Sequence, residues 1–107
     1  MLLVRAIVRP EKANDVMADL ASAGFHAMTK MDIYGRGKQM GITVGTVHYD
    51  EIPKEMFLII CRDEDKDDIV RVITRAAKVG EGSFGDGRIF ISPVEQAYTI
   101  SSGKEGL

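Results

Sequence analysis

The sequence predicts an α+β fold, a ferredoxin-like β-α-β-β-α-β sandwich, on three observations. Two segments carry apolar residues at helical spacing, Ala13 to Ala21 and Ile69 to Ala76, and each is followed by a glycine suited to ending a helix, Gly24 and Gly80. Each helical segment lies between short hydrophobic runs of strand character. A long glycine-bearing loop joins the two strand-helix-strand units, so the second half repeats the logic of the first. Such an order gives a four-stranded antiparallel sheet with both helices on one face and the other face bare. A bare face carrying Ile7 and Met28 calls for cover from other subunits or from a ligand.

Leu3 to Arg9 reads as the first strand, with Val4, Ala6 and Val8 on one side and Arg5, Ile7 and Arg9 on the other. Pro10 ends it and suits the first turn of a helix whose stripe is Ala13, Val16, Met17, Leu20 and Ala21. From Phe25 to Tyr34, Phe25, Ala27, Thr29, Met31 and Ile33 alternate with His26, Met28, Lys30, Asp32 and Tyr34, a second strand with one polar-leaning face. Gly35 to Pro53 has no sustained period and reads as a long loop of functional length. Met56 to Cys61 is continuously apolar, as in strands buried on both faces. Asp63-Glu64-Asp65 sets acid against the N-terminal dipole of the second helix, whose stripe is Ile69, Val72, Ile73 and Ala76. Gly80 to Gly87 forms a second glycine-rich loop, Arg88 to Ser92 a fourth strand, and Tyr98-Thr99-Ile100 a short strand before a polar tail.

A chain of 107 residues makes one domain with a core that needs no staples. The single cysteine, Cys61, lies in an apolar run and reads as a buried, inert thiol. Met1-Leu2-Leu3-Val4 is too short for a signal segment and no run is long enough to span a membrane, so a soluble cytoplasmic protein is expected. The net charge of −2 argues against a surface built to neutralise nucleic acid. RNA recognition on this fold needs exposed aromatics on the central strands, and the third strand offers only Phe57. Two histidines, His26 and His48, and one cysteine are too few for a zinc site and are expected at the surface and in the core respectively. The only asparagine, Asn14, sits within the first helix, which leaves an acyl-phosphate hydrolase without its parts.

What chemistry remains lies in the two glycine-rich loops. Gly85-Asp86-Gly87-Arg88-Ile89-Phe90, then Ser92-Pro93-Val94-Glu95, places two glycines and a carboxylate before a strand. Glycines let backbone N–H groups approach an anion, and Arg88 adds a charged donor; a plain turn at a strand entrance would use the same residues. Gly35-Arg36-Gly37-Lys38-Gln39-Met40-Gly41 misses the dinucleotide spacing by one residue, yet supplies backbone donors, two cations and Gln39 as a neutral oxygen ligand for Mg²⁺. Lys54, at the far end of that loop, is either a solvated lysine or a cation facing a small carboxylate held near Gln39.

These motifs resemble one family. Ile7-Val8-Arg9-Pro10, Met28-Thr29, Gly35 through Gly41 with Gln39, Pro53-Lys54 and the Gly85–Glu95 stretch are similar to the PII signal-transduction proteins over nearly the whole chain. The resemblance implies a PII-like trimer that binds ATP or ADP in clefts between subunits and senses 2-oxoglutarate. It assigns a T-loop to about residues 36–54, a phosphate-binding loop to about 79–88 and a C-terminal loop to about 99–107. Carried over by residue, it implies that Ile7, Thr29 and Ile60 line an adenine pocket and that Gly35, Arg36, Gly37, Lys38, Gln39 and Gly41 border the nucleotide. Gly85, Asp86, Gly87 and Arg88 would hold the phosphates, Gln39 would ligate Mg²⁺ beside ATP and 2-oxoglutarate, and Lys54 would pair with the distal carboxylate of that acid. No catalytic residue is implied.

Three departures shape the expectation. Thr99-Ile100-Ser101-Ser102-Gly103-Lys104 stands where two phosphate-binding arginines would be, leaving Lys104 as the replacement cation. Val79-Gly80-Glu81-Gly82-Ser83-Phe84 is two residues longer than the common loop. The Ile42–Ile52 segment is short, with Tyr49 displaced from the position of a modified tyrosine, which argues against uridylylation. The short loop and the ending Ser102-Gly103-Lys104-Glu105-Gly106-Leu107 resemble the nitrogenase-regulating branch of methanogens and anaerobic diazotrophs. Members of that branch act as homotrimers or as mixed oligomers with a second PII-like paralogue. They inhibit the dinitrogenase component by direct binding until 2-oxoglutarate and Mg-ATP release it. Regulation of an ammonium channel or of a nitrogen-assimilation enzyme such as glutamine synthetase is the alternative within the family.

Overall fold

A computed structural model describes residues 1–36 and 51–107, together with the backbone of 42–44 and 47–49. Among the described residues six strands and two α-helices follow in the order β1 (Leu2–Val8), α1 (Ala13–Ser22), β2 (Thr29–Gly35), β3 (Ile42–Val44), β4 (Val47–Tyr49), β5 (Ile52–Cys61), α2 (Lys66–Ala77) and β6 (Gly87–Pro93). Four of the strands form an antiparallel sheet in the order β2-β5-β1-β6, the α+β arrangement expected. The registers run Leu2↔Cys61 to Val8↔Glu55, Leu2↔Pro93 to Val8↔Gly87, and Thr29↔Leu58 to Gly35↔Ile52.

The period-two pattern decides which face is packed. Val4, Ala6 and Val8 of β1 and Phe57, Ile59 and Cys61 of β5 point at the helices, which answer with Ala13, Val16 and Leu20 of α1 and Ile69, Ile73 and Ala77 of α2. All these residues are buried, and no polar or charged residue is buried with them among the described residues. Each helix starts from a short 3₁₀ turn, Pro10–Lys12 or Asp63–Asp65, entered from an extended arginine, Arg9 or Arg62. Acid follows at once in both cases, Glu11 and Asp15 for α1 and Asp63, Glu64, Asp65, Asp67 and Asp68 for α2, where it opposes the helix dipole.

Several expectations change. β5 starts four residues earlier than its apolar run and is buried on one face only; Met56 and Leu58 are half-buried and Ile60 is exposed, because both helices lie on the opposite side. β2 starts at Thr29 rather than Phe25. The Phe25 N–H is spent on the Leu20 carbonyl at 2.8 Å, so the chain is still leaving the helix layer there, and Phe25 and Met28 pack against the core. Met28 therefore belongs to the helix side and not to the open face. Ile7 does belong there, with Leu3, Leu58, Ile60, Met31 and Phe90 sharing its pleat parity.

The long loop contains a strand pair of its own, β3 with β4, in the register Ile42↔Tyr49 to Val44↔Val47. The runs that make it, Ile42-Thr43-Val44 and Val47-His48-Tyr49, are three residues each, too short to show a period in the sequence. Tyr98-Thr99-Ile100 does not add a strand to the sheet. Tyr98 makes a lone bridge with Glu105, the Thr99 N–H donates to the Lys104 carbonyl at 2.9 Å, and the Gly106 N–H donates to Ala97 at 2.8 Å, so the tail folds on itself.

Candidate functional site

At one end of the sheet the base of the long loop meets the glycine loop before β6, and a cleft of about 700 Å³ lies between them. Ile7, Ile33, Tyr34, Gly35, Arg36, Ile52 and Lys54 form one side, and Ser83, Phe84, Gly85, Asp86, Gly87, Arg88 and Phe90 the other. Sheet register explains the meeting. Gly35 pairs with Ile52 and Ile33 with Lys54, which closes the ends of the long loop, while Val8 pairs with Gly87 and so sets the glycine loop at the end of β1.

Gly87 permits that approach. It has a φ of +117°, and a Cβ built there would sit 1.8 Å from the Ile7 carbonyl oxygen, so only glycine lets β6 begin against β1. Gly85, at a φ of +90°, is flanked by cations, with a notional Cβ 3.3 Å from Arg9 Nη2 and 3.7 Å from Lys54 Nζ.

Asp86 organises the loop from within. Its carboxylate accepts from the Ser83 N–H at 2.7 Å, the Val79 N–H at 3.3 Å and Arg9 Nε at 3.2 Å. The Ser83 bond foremost, then Arg9 and Val79, hold its carboxyl below the usual carboxylate range, against the opposing effect of burial. Arg9 also donates from Nη2 to the Phe84 carbonyl at 2.6 Å, and Lys54 Nζ donates to the Gly85 carbonyl at 2.7 Å. Partial burial, then repulsion from Arg9, pulls the Lys54 pKa down. The result is a glycine-rich turn beside clustered cations, open on an apolar wall: the chemistry of an anion attached to a flat or apolar body.

Of the residues expected at a site, Ile7, Gly35, Arg36, Lys54, Gly85, Asp86, Gly87 and Arg88 meet at this cleft. Thr29 and Ile60 do not line it. They share the open face with Ile7, but Ile60 is paired with Leu3, four residues or about 13 Å further along β1. Lys104 lies in the tail beyond Pro93, and Pro93 pairs with Leu2 at the end of the sheet away from Gly87. Gly37, Lys38, Gln39 and Gly41 lie outside the described residues. Among the described residues no group of three or more His, Cys, Asp or Glu could hold a metal ion. Of the histidines, His26 is exposed. Cys61 is buried, and burial followed by the charge of Asp65 pushes its thiol pKa up.

Arg9, Tyr34 and Phe90 were not among the expected site residues, and Phe84 was expected only as part of the phosphate-binding loop. Arg9 could have been found from its pairing parity beyond Val8, once Gly87 was set opposite Val8. The aromatics carry no sequence signal that separates them from core positions.

Comparison with known proteins agrees with the fold. Over its full length, and over the full length of each relative, the chain is 51% identical to the nifHD region GlnB-like protein 1 of Methanothermobacter marburgensis. It is 50% identical, again over both full lengths, to the nifHD2 region GlnB-like protein 1 of Methanosarcina barkeri and the nifHD region GlnB-like protein 1 of Methanobacterium ivanovii. Residues 1–104 match the family described as nitrogen regulatory protein P-II, and the chain therefore belongs to the PII family, on the nif-region GlnB-like branch.

Proposed function

We propose that this protein is a cytoplasmic, non-enzymatic sensor that binds ATP or ADP and 2-oxoglutarate and inhibits nitrogenase by direct binding, with inhibition released by 2-oxoglutarate and Mg-ATP. The observation that carries the reading is the glycine turn Gly85–Arg88 set against Lys54 across an apolar-walled cleft, in a chain whose relatives are named for the nifHD region. The residues fit a nucleotide. Backbone donors and Arg88 suit phosphate oxygens, Ile7 and Phe90 suit a base, and Lys54 suits a carboxylate.

Mg²⁺ fits as a passenger of the phosphates, with Gln39, Gly37, Lys38 and Gly41 completing the site from the long loop. The metal would give an α-keto acid its chelating partner. The chain's own part is to hold the phosphates on the glycine turn and to present the Lys54 ammonium to the distal carboxylate. Because the acid and the nucleotide share a metal, their binding free energies should be positively coupled. Thr29, Ile60 and Lys104 do not line the cleft that Ile7 and Gly87 share, so the reading assigns them to a neighbouring subunit of a trimer, homomeric or mixed with a PII-like paralogue. No helix among the described residues is long and apolar enough to cross a membrane, which is compatible with this role.

Titration calorimetry of 2-oxoglutarate with and without Mg-ATP tests the sensor. Binding only in the presence of Mg-ATP is expected. Binding in neither condition refutes it. Co-purification of an ammonium channel or glutamine synthetase in place of the dinitrogenase component would move the target and leave the sensor intact.

A further inference from the structure

Arg9 and Arg62 occupy equivalent places in the two halves of the fold, each the extended residue that enters a 3₁₀ turn and then a helix. Their bonding differs. Arg62 turns onto its own helix start, donating from Nε to Asp65 Oδ2 at 3.0 Å and approaching Glu64 at 3.5 Å. The first half has Lys12 where the second has Asp65, so Arg9 has only Glu11, at 3.8 Å, as a local anion. Its guanidinium instead crosses to the glycine loop, bonding Asp86 through Nε and the Phe84 carbonyl through Nη2.

The second of those bonds fixes a peptide plane. In a trans peptide the N–H points opposite the C=O, and no cis peptide is present among the described residues. With the Phe84 carbonyl held by Arg9, the Gly85 N–H is turned the other way, and it has no acceptor among the described residues. The next carbonyl, of Gly85, is held by Lys54, and the Asp86 N–H that accompanies it donates to the Ser83 carbonyl at 3.2 Å. Phe84 and Gly85 both line the cleft, whereas Arg9 does not. We infer that Arg9 is a positioning residue for anion binding: through Asp86 and the Phe84 carbonyl it holds the Gly85 N–H free and oriented for a phosphate oxygen.

This rests on the nucleotide reading and adds to it a residue that acts without touching the ligand. The effect is preorganisation, since a loop already held in its binding geometry loses less entropy when the anion arrives. Arg9→Gln, Asp86→Asn and the double variant should be compared with the wild type by Mg-ATP calorimetry, alongside ¹⁵N spectra of the ligand-free proteins. Each single variant should weaken Mg-ATP binding about tenfold, the scale of one lost charge-assisted hydrogen bond, and the double should be little worse than either single. The Gly85 and Ser83 amide resonances should move in the ligand-free single variants. A direct charge contact from Arg9 to phosphate would instead give additive losses and an unmoved Gly85 amide, and would overturn the inference. So would an Arg9→Gln variant that binds as the wild type does. A wild-type protein that binds neither ATP nor ADP would overturn the nucleotide reading and this inference together.

Discussion

Gly87→Ala tests whether the site end of the sheet is built as described. The new methyl would lie 1.8 Å from the Ile7 carbonyl oxygen, 2.9 Å from its carbon and 3.3 Å from Val8 Cα, all backbone atoms of a central strand. Neither side can yield without parting β1 from β6 at the Val8↔Gly87 pair. Backbone strain at a φ of +117° adds about 1–3 kcal/mol. Loss of one or two ladder hydrogen bonds adds about 1 kcal/mol each, for a total of roughly 2–5 kcal/mol. Gly85→Ala is the internal control. It shares the positive φ, but its nearest atom is the end of the Arg9 side chain at 3.3 Å, which can move, so only the backbone cost of about 1–2 kcal/mol remains. Urea unfolding followed by far-ultraviolet circular dichroism, at one fixed protomer concentration, gives both values. The reasoning fails if Gly87→Ala costs under about 1 kcal/mol, or no more than Gly85→Ala.

Phe57→Ala should lower stability by about 3–5 kcal/mol in the same assay, since Phe57 is fully buried where β5 meets both helices; a loss under about 1 kcal/mol would mean that the core lies elsewhere. Cys61 should resist iodoacetamide at pH 8 in the folded protein and react readily in urea, because its thiol is buried and its pKa raised; equal rates in both states would contradict the packing. The two shifted groups of the cleft each make stability rise with pH, one in the acid range and one in the alkaline range. Asp86 has its pKa depressed on folding, so its contribution is complete above the unfolded value of 3.8 and is lost as the pH falls through the folded value; Asp86→Asn should flatten the acid limb of the stability curve there. Lys54 is also depressed, so between its folded value and 10.5 the unfolded chain binds more protons and stability should rise with pH. Lys54→Gln should remove that rise, and an unchanged alkaline limb would mean that neither burial nor the charge of Arg9 lowers the Lys54 pKa.

The parts of this fold that were legible in the sequence are those where one period governs many residues. Val4, Ala6 and Val8 alternate because one side of β1 meets helices, and Val16 with Leu20, or Ile69 with Ile73, repeat at four because a single stripe is buried. β5 misled because a continuous apolar run is the same string whether its second face meets helices or is left uncovered by them. The β3–β4 pair and the self-folding tail were illegible for a different reason. Each rests on a few backbone hydrogen bonds, such as Thr99 to Lys104, that leave no pattern in side-chain character. At the site, glycine positions were readable because φ restricts residue type, as at Gly87. Arg9 was not, because its partner Asp86 is 77 residues away and only strand register brings them together.

The open face of the sheet carries the last prediction. Ile60 is 40% exposed and stands on the face away from both helices, paired with Leu3 and two residues from Leu58. In an isolated protomer, Ile60→Asp would put a carboxylate where water already reaches, at a cost of about 1 kcal/mol from lost partial burial. In the proposed trimer the same change would place three carboxylates against apolar neighbours, each costing several kcal/mol if it stays charged. The two situations differ by enough to decide between them. Light scattering coupled to size exclusion should show a loss of trimer mass for Ile60→Asp, and circular dichroism should show the protomer fold retained. A trimer of unchanged mass would place the subunit interface off this face, and would separate Thr29 and Ile60 from any shared site with Ile7. A variant that unfolds outright would mean that the face belongs to the protomer's own core, which the placement of both helices on the opposite side argues against.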